Sequence, residues 1–456
     1  MSLRRHFALG SSITAVLLAT ACAQGSPSPL TLHDAVSIAL EQNPQHKAAL
    51  ADTRVASADI QTARSFLLPH VTFSETAMRG NDPVYVFAGR LRQQRFTDAD
   101  FALNRLNSPL PFGNFSTRFG GTWNLFDSFT SWHGLTRARL MDDAAKHELD
   151  HTEQEVVFHV IESYYQALLA AKQLDVAEHA AKTAKAIVER SQARFESGLA
   201  VESDLLTAKV RLASRQQEAI RARNNLALSL AQLNTGMGVP IGSSFDLTEK
   251  LSEPQIPSLS LQELESQALT SRPDLKRIAA EQSAQGQTVS IAKSAFGPQV
   301  NGFAGWEMDN PTFLAGGGGN NWVAGIELKF DLFQGGAKRA ELSRQRALEE
   351  KAAAMKQVAT DGVRLDVHRA YYDVDASRQQ VEVARASIAQ AEDSLRINQD
   401  RYETGLITIT ELLSAEEAAR RSKTDYWDAV CRFRTSYAGL GLATGTLNSQ
   451  SASVMP

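Results

Sequence analysis

Two stretches of the chain alternate between apolar and polar positions with a period of two. Phe115, Thr117, Phe119, Gly121, Trp123 and Leu125 alternate with Ser116, Arg118, Gly120, Thr122 and Asn124. Trp322, Ala324, Ile326, Leu328, Phe330 and Leu332 alternate with Val323, Gly325, Glu327, Lys329 and Asp331. Such alternation predicts strands with one apolar and one polar face. Their length suits a tilted crossing of an outer membrane, with lipid on one side and water on the other. An ordinary half-buried sheet produces the same pattern.

The residues after each strand change to a helical pattern. No proline interrupts Thr130 to Ser197 or Ala337 to Thr404, and at 1.5 Å per residue each run spans roughly 100 Å. A globular domain has no room for a straight helix of that length. Val157, Ile161, Tyr164, Leu168 and Ala171 step by four and three, as do Ala177, Ala181, Ala184, Val188, Ser191 and Phe195. That is the stripe of a coiled coil, with a phase shift near residue 174. Gly198 and Gly405 break the helices, and return helices follow over about Val201–Thr235 and Thr408–Ala443. Upstream of the strands, helices start near Thr31 and Ser260, break at Pro44 and Pro273, and resume to about Ser65 and Ser294. Asn43 before Pro44 reads as a helix cap followed by proline at the first helical position.

These parallels come from a duplication. Leu32, Ala39, Leu40, Pro44, Lys47, Ala51, Ala63, Ser65, Pro69 and Val71 recur as Leu261, Ala268, Leu269, Pro273, Lys276, Ala280, Ala292, Ser294, Pro298 and Val300. The offset is then shortened: Leu125-Phe126 returns as Leu332-Phe333, Tyr164-Tyr165 as Tyr371-Tyr372, and Gly198-Leu199 as Gly405-Leu406. The change places an insertion in the first copy, between residue 73 and about residue 115. The expected organisation is a signal peptide over 1–23, a first repeat over 30–240, a linker over 241–257, a second repeat over 258–446 and a tail over 447–456.

Composition narrows the function. A net charge of −4 gives no drive toward nucleic acid. Arg4 and Arg5 followed by the apolar stretch Phe7 to Ala21 read as an export signal, too short for a stable membrane span. Ala21-Cys22-Ala23 fits ordinary cleavage, and Cys22 also fits a lipid-modified N-terminus. Cys431 is the only other cysteine, which excludes an intrachain disulfide framework and reads as a small apolar residue on a helix. His147 and His151 are spaced four apart, but a single such pair is a weak metal signal. The chain has no phosphate-binding loop and no nucleophile elbow. No catalytic residue, metal or cofactor is expected, and any transport must be powered by a partner.

Two strands per repeat make four per chain. Four strands cannot close a barrel, and an open edge cannot sit in lipid. Two chains would give eight strands, whose interior side chains fill; three give twelve and leave a duct.

The doubled unit resembles the TolC family of outer-membrane efflux proteins over about residues 30 to 446. The resemblance rests on Leu32, Ala35, Ala39, Leu40 and Pro44, on Ser65, Pro69 and Val71, and on Leu125-Phe126. It rests also on the tips Arg194-Phe195-Glu196-Ser197-Gly198-Leu199 and Arg401-Tyr402-Glu403-Thr404-Gly405-Leu406. It implies a mainly α fold with a small β part: a homotrimer with a twelve-stranded barrel in the outer-membrane lipid, continued by a periplasmic α-barrel. It also implies docking to a periplasmic adaptor and an inner-membrane pump, at tips that include Gly198, Leu199, Gly405 and Leu406. Tyr402 matches a gate tyrosine, and Asp204 and Glu411 match acidic tip positions that also read as dipole-favoured helix-start acids. A family arginine that ties the gate shut falls at Ile407, and a second family acid at Ser414. The competing readings are a periplasmic adaptor or structural coiled-coil protein, which lacks the strands and the strict duplication, and an exported enzyme, for which no site is visible. Cargo is not legible in the sequence.

Overall fold

The computed structural model describes residues 28–198, 200–249, 260–313 and 319–450. Cys22 and Leu199 lie outside the described residues. Each copy begins with a helix broken by proline: α1 (Leu32–Gln42) and α2 (Pro44–Ser65), then α7 (Leu261–Ser271) and α8 (Pro273–Ser294) in copy two. Asn43 and Arg272 take extended ψ angles of 127° and 123°, as steric conflict with the following proline ring requires. A capping box between Thr31 and Asp34 starts α1, with Asp34 N donating to Thr31 Oγ1 at 3.1 Å.

Strands β2 (His70–Gly80), β3 (Phe112–Phe126), β5 (Gln299–Asn310) and β6 (Gly319–Lys329) form one antiparallel sheet in that order. The second strand of copy two was expected over 322–332 and instead ends at Lys329. Gln334 Nε2 donates to Asp331 Oδ2 at 2.8 Å, and this local bond turns the chain toward the next helix, leaving Phe330 and Leu332 exposed in the turn. The matching turn in copy one uses the same spacing with the donor and acceptor exchanged: Asn124 Nδ2 donates to Asp127 Oδ2 at 2.7 Å.

The insertion of copy one is folded. It carries α3 (Pro83–Arg92), a 3-10 turn (Asp98–Phe101) and α4 (Leu103–Asn107). The long helices are α5 (Thr130–Glu196) and α9 (Ala337–Glu403), and the return helices are α6 (Glu202–Met237) and α10 (Ile409–Ala443). A short parallel pair, β1 (Ser28–Leu30) with β4 (Phe245–Leu247), sits beside α1.

The return helices stack end to end beneath the upper short helices. Asn43 caps α2, its Oδ1 accepting from Gln45 N at 2.7 Å, while its Nδ2 donates to Gly236 O near the end of α6 at 2.7 Å. Arg272 makes the equivalent link in copy two, donating to Ala443 O near the end of α10 at 3.3 Å. Each joint satisfies a carbonyl at a helix end that would otherwise lack a partner. The result is a wall four columns wide. Packing follows the order α2, α5, α8, α9 above the joints and α6, α5, α10, α9 below them, which continues the strand order of the sheet.

The main core lies at the joint of copy one. Leu30, Leu32, Val36 and Ala39 pack on Val157, Ile161, Tyr164 and Leu168 of α5 and on Leu233 and Met237 of α6. Tyr164 donates to Leu30 O at 2.8 Å, and burial raises its pKa above the ordinary phenol value. Cys431 is buried, and burial pushes its thiol up to about 12. Toward the tip the buried stripe of α5 keeps Ala177, Ala184 and Ser191 of the expected pattern and takes in Ala180, while Phe195 is exposed.

Candidate functional site: channel wall and hairpin tips

One face of the sheet carries an apolar band, bounded toward the loop end by Glu75 and Thr117, which are hydrogen-bonded to each other. Phe73, Phe119, Trp306 and Trp322 are consecutive register partners across all four strands. Trp322 is 80 % exposed, and Val71, Trp123, Ile326 and Leu328 are exposed on the same face. Such a patch is unusual on a surface that meets water. The opposite face carries Ser74, Arg118, Glu307 and Asn321 in one register row. There Arg118 donates to Glu307 Oε2 at 2.9 Å and Ser116 to Glu307 Oε1 at 2.7 Å. Among the described residues, both outer strands, β2 and β6, keep one unpaired edge. No helix among the described residues is long and apolar enough to cross a membrane.

The far end of the wall holds the hairpin tips. Gly198 and Gly405 adopt left-handed φ of 74° and 76°, which ends each long helix. Leu406 is exposed beside Gly405. Tyr402 is only 5 % exposed. It packs with Ile409, Leu412 and Leu413 against Ile187, Leu395 and Ile407. Ile407, which stands where the resembling family has an arginine, therefore adds apolar packing to this cluster. Tyr402 also joins the two repeats: its hydroxyl lies 3.5 Å from Ser191 Oγ, its carbonyl accepts from Arg194 Nη1 at 3.1 Å, and the Arg194 guanidinium sits 5.2 Å from its ring centroid. Arg190 pairs with Glu403 next to it.

The two acidic candidates differ. Glu411 closes a capping box with Thr408, whose backbone N donates to Glu411 Oε2 at 2.8 Å. That bond and the one from the Thr408 hydroxyl hold its carboxyl below the ordinary carboxylate value. Asp204 sits half-buried in the first turn of α6 and makes no side-chain hydrogen bond or ion pair with the described residues. Ser414 is exposed, donating to Thr410 O at 2.9 Å. His147 and His151 face carboxylates of their own helix, Asp150 and Glu155, each at 3.4 Å.

Sequence reasoning missed a buried charged cluster just above the tips. Arg215 is 1 % exposed between α6 and α10 and pairs with Glu218 at 2.7 Å and with Glu417. Arg211 reaches Glu417 at 2.8 Å. Glu416 is 4 % exposed, and burial raises its pKa, partly offset by Arg215 and Arg211. Burial also acts on Glu417, but hydrogen bonds from Arg420 and Arg215 overcome it and pull its pKa down to about 2. The signal was present: Leu205, Ala208, Leu212 and Arg215 step by three, four and three, and Ile409, Leu412, Glu416 and Ala419 step by three, four and three. Opposite charges stand where core residues are expected.

A family model described as outer membrane efflux protein matches residues 35–239 and again 264–446. The chain belongs to the outer membrane efflux protein family. Among its relatives, Protein CyaE of Bordetella pertussis is 26 % identical over 429 residues, 92 % of this chain and 84 % of that protein. Outer membrane protein TolC of Escherichia coli is 23 % identical over 428 residues, 90 % of this chain and 80 % of that protein. The solved CmeC outer membrane channel of Campylobacter jejuni superposes with a TM-score of 0.78 at 18 % identity, covering 92 % of this chain and 86 % of that one. This efflux protein is accordingly an outer-membrane exit channel whose long helices extend into the periplasm. The exposed apolar face of its sheet meets lipid, and the polar face lines the water path.

Proposed function

We propose that three copies close into a duct of twelve strands and a continuous helical wall, which receives cargo from a periplasmic adaptor and an inner-membrane pump. The observation that carries this reading is the pair of lateral edges. On one side α2 and α6 expose Leu50, Val55, Leu206, Val210, Ile220 and Leu228. On the other, α9 exposes Met355, Val358, Leu365, Tyr372 and Val383. The strands above them are the two with unpaired edges. An edge strand and an edge helix with exposed apolar residues thus lie on each flank, and joining unlike edges makes a head-to-tail contact that repeats until a ring closes. Twelve strands leave a water-filled interior, which eight do not.

The tips form the closed end. Tyr402, held by Arg194 and Ser191, together with Arg190–Glu403 and the Arg211, Arg215 and Glu417 cluster, ties the hairpin of one repeat to that of the other. Opening requires these links to part, and an adaptor seated at Gly198, Leu199, Gly405 and Leu406 is positioned to part them. The chain performs no chemistry of its own, and the pump supplies the energy. Asp204, whose carboxylate has no partner among the described residues, is the acid that meets cationic cargo.

Val358, 63 % exposed on α9, supplies the test. Val358→Asp should convert heat-resistant trimers of the outer-membrane fraction into monomers on semi-native gels, because three carboxylates would be buried without partners. Wild-type protein recovered as a monomer, or a Val358→Asp trimer as heat-resistant as wild type, would refute this assembly.

A further inference from the structure

The insertion of copy one folds back over the polar face of the sheet. Gly89 of α3 lies against the Phe112 ring so closely that a Cβ there would come within 2.5 Å of it. Tyr85 packs edge-on against the same ring, at 6.0 Å between centroids, and donates to Met78 O at 3.0 Å. Gln93 is fully buried and donates to Asn114 Oδ1 at 2.7 Å and to Gly113 O at 3.2 Å. Asn114 in turn donates to Asp309, which is also fully buried. Arg92 reaches Glu307 Oε1 at 3.4 Å. Phe112, Asn114, Glu307 and Asp309 occupy the polar face, because β3 positions of even number and their β5 partners share the side of Arg118. Asp100, buried between Arg90 at 2.9 Å and Arg105 at 3.5 Å, fixes the rest of the insertion to α3.

Resting on the duct reading above, we propose that this insertion is an inward-folded cap. Three copies of it would narrow the outer mouth of the barrel and exclude bulky external molecules that the barrel itself would admit. An insertion that merely decorated the exterior would project beyond the sheet or lie toward lipid, with no reason to bury Gln93, Asn114 and Asp309 on the water side. The contacts join α3 to two strands of different repeats, so the cap is fixed to the wall and not suspended from its own hairpin.

The test reads access from outside in intact cells. Thr122→Cys places a thiol on the polar face of β3, deeper than the cap, while Cys431 stays buried. Two membrane-impermeant maleimides are added, one small and one carrying a long polyethylene glycol chain. In the wild-type cap background the small reagent should label the introduced thiol and the large one should not. Two independent variants release the cap: Gly89→Val pushes α3 off Phe112, and Arg92→Ala with Gln93→Ala removes the polar latch. Either should raise labelling by the large reagent about tenfold, the change that accompanies loss of roughly 1.4 kcal/mol, with little effect on the small one. Equal labelling by the large reagent with and without the release variants would overturn the cap. No labelling by the small reagent in any background would overturn the duct reading instead.

Discussion

Gly238→Ala compared with Gly198→Ala gives a sharp test of the stacked-helix joint. Both glycines have left-handed φ, 76° at Gly238 and 74° at Gly198. An alanine at either position therefore carries a backbone penalty of about 1–2 kcal/mol. The surroundings differ. A Cβ at Gly198 meets nothing within 4 Å, whereas at Gly238 it would stand 2.6 Å from Gln42 O and 2.7 Å from Asn43 Cα. Those atoms are backbone and cannot swing aside, so the ends of α1 and α6 must separate. Separation breaks the bond from Asn43 Nδ2 to Gly236 O, worth about 1 kcal/mol, and loosens the packing of Met237 in the main core. Gly238→Ala should thus destabilise the channel by at least roughly 1 kcal/mol more than Gly198→Ala. Thermal unfolding of the detergent-purified protein at one scan rate measures the difference, since the shared backbone term cancels. Gly445→Ala should behave like Gly238→Ala, because its Cβ would lie 2.8 Å from Arg272 Cα. Equal midpoints for Gly198→Ala and Gly238→Ala would mean that the joint does not hold the wall.

Five further outcomes are expected. Arg215→Ala leaves Glu416 and Glu417 without their shared buried cation, which should cost on the order of 3–5 kcal/mol and raise the frequency of open events in planar-bilayer recordings. Glu416 has a raised pKa in the folded state, so its contribution to stability is full below the ordinary carboxylate pKa and is lost as pH rises through the folded value; Glu416→Gln should therefore stabilise the protein at neutral pH. Glu417, pulled down to about 2, has the opposite sign: its contribution is present above the unfolded pKa and lost as pH falls toward 2, so Glu417→Gln should destabilise at pH 7 and be neutral near pH 2, read from unfolding midpoints across that range. Asp204→Asn should weaken cation block of single-channel current, whereas Glu411→Ala should lower the unfolding midpoint through the lost capping box with Thr408; unchanged block in Asp204→Asn would remove that carboxylate from the permeation path.

Local rules made most of the elements legible in the sequence. Period-two alternation marked the strand through Phe119 and Trp123, the absence of proline marked α5 and α9, and Asn43-Pro44 marked a helix break, because each depends on a residue's own backbone and its near neighbours. The duplication made these readings mutually supporting, since a joint or tip read in one copy had to recur in the other. Contacts between segments distant in the chain were decided by tertiary structure alone. Nothing local showed that α6 would stack beneath α2 through Asn43, or that the insertion would turn onto the polar face and bury Gln93. The charged residues Arg215 and Glu416 occupy core positions that apolar periodicity cannot recognise, because each becomes tolerable only when the fold brings opposite charges together. Glu411 read both as a tip acid and as a helix-start acid, and in the structure its carboxylate accepts from Thr408 at the start of its own helix. Periodicity fixes which side of a segment is apolar; which other segment covers that side, and at what height along the wall, depends on packing that no single stretch of chain contains.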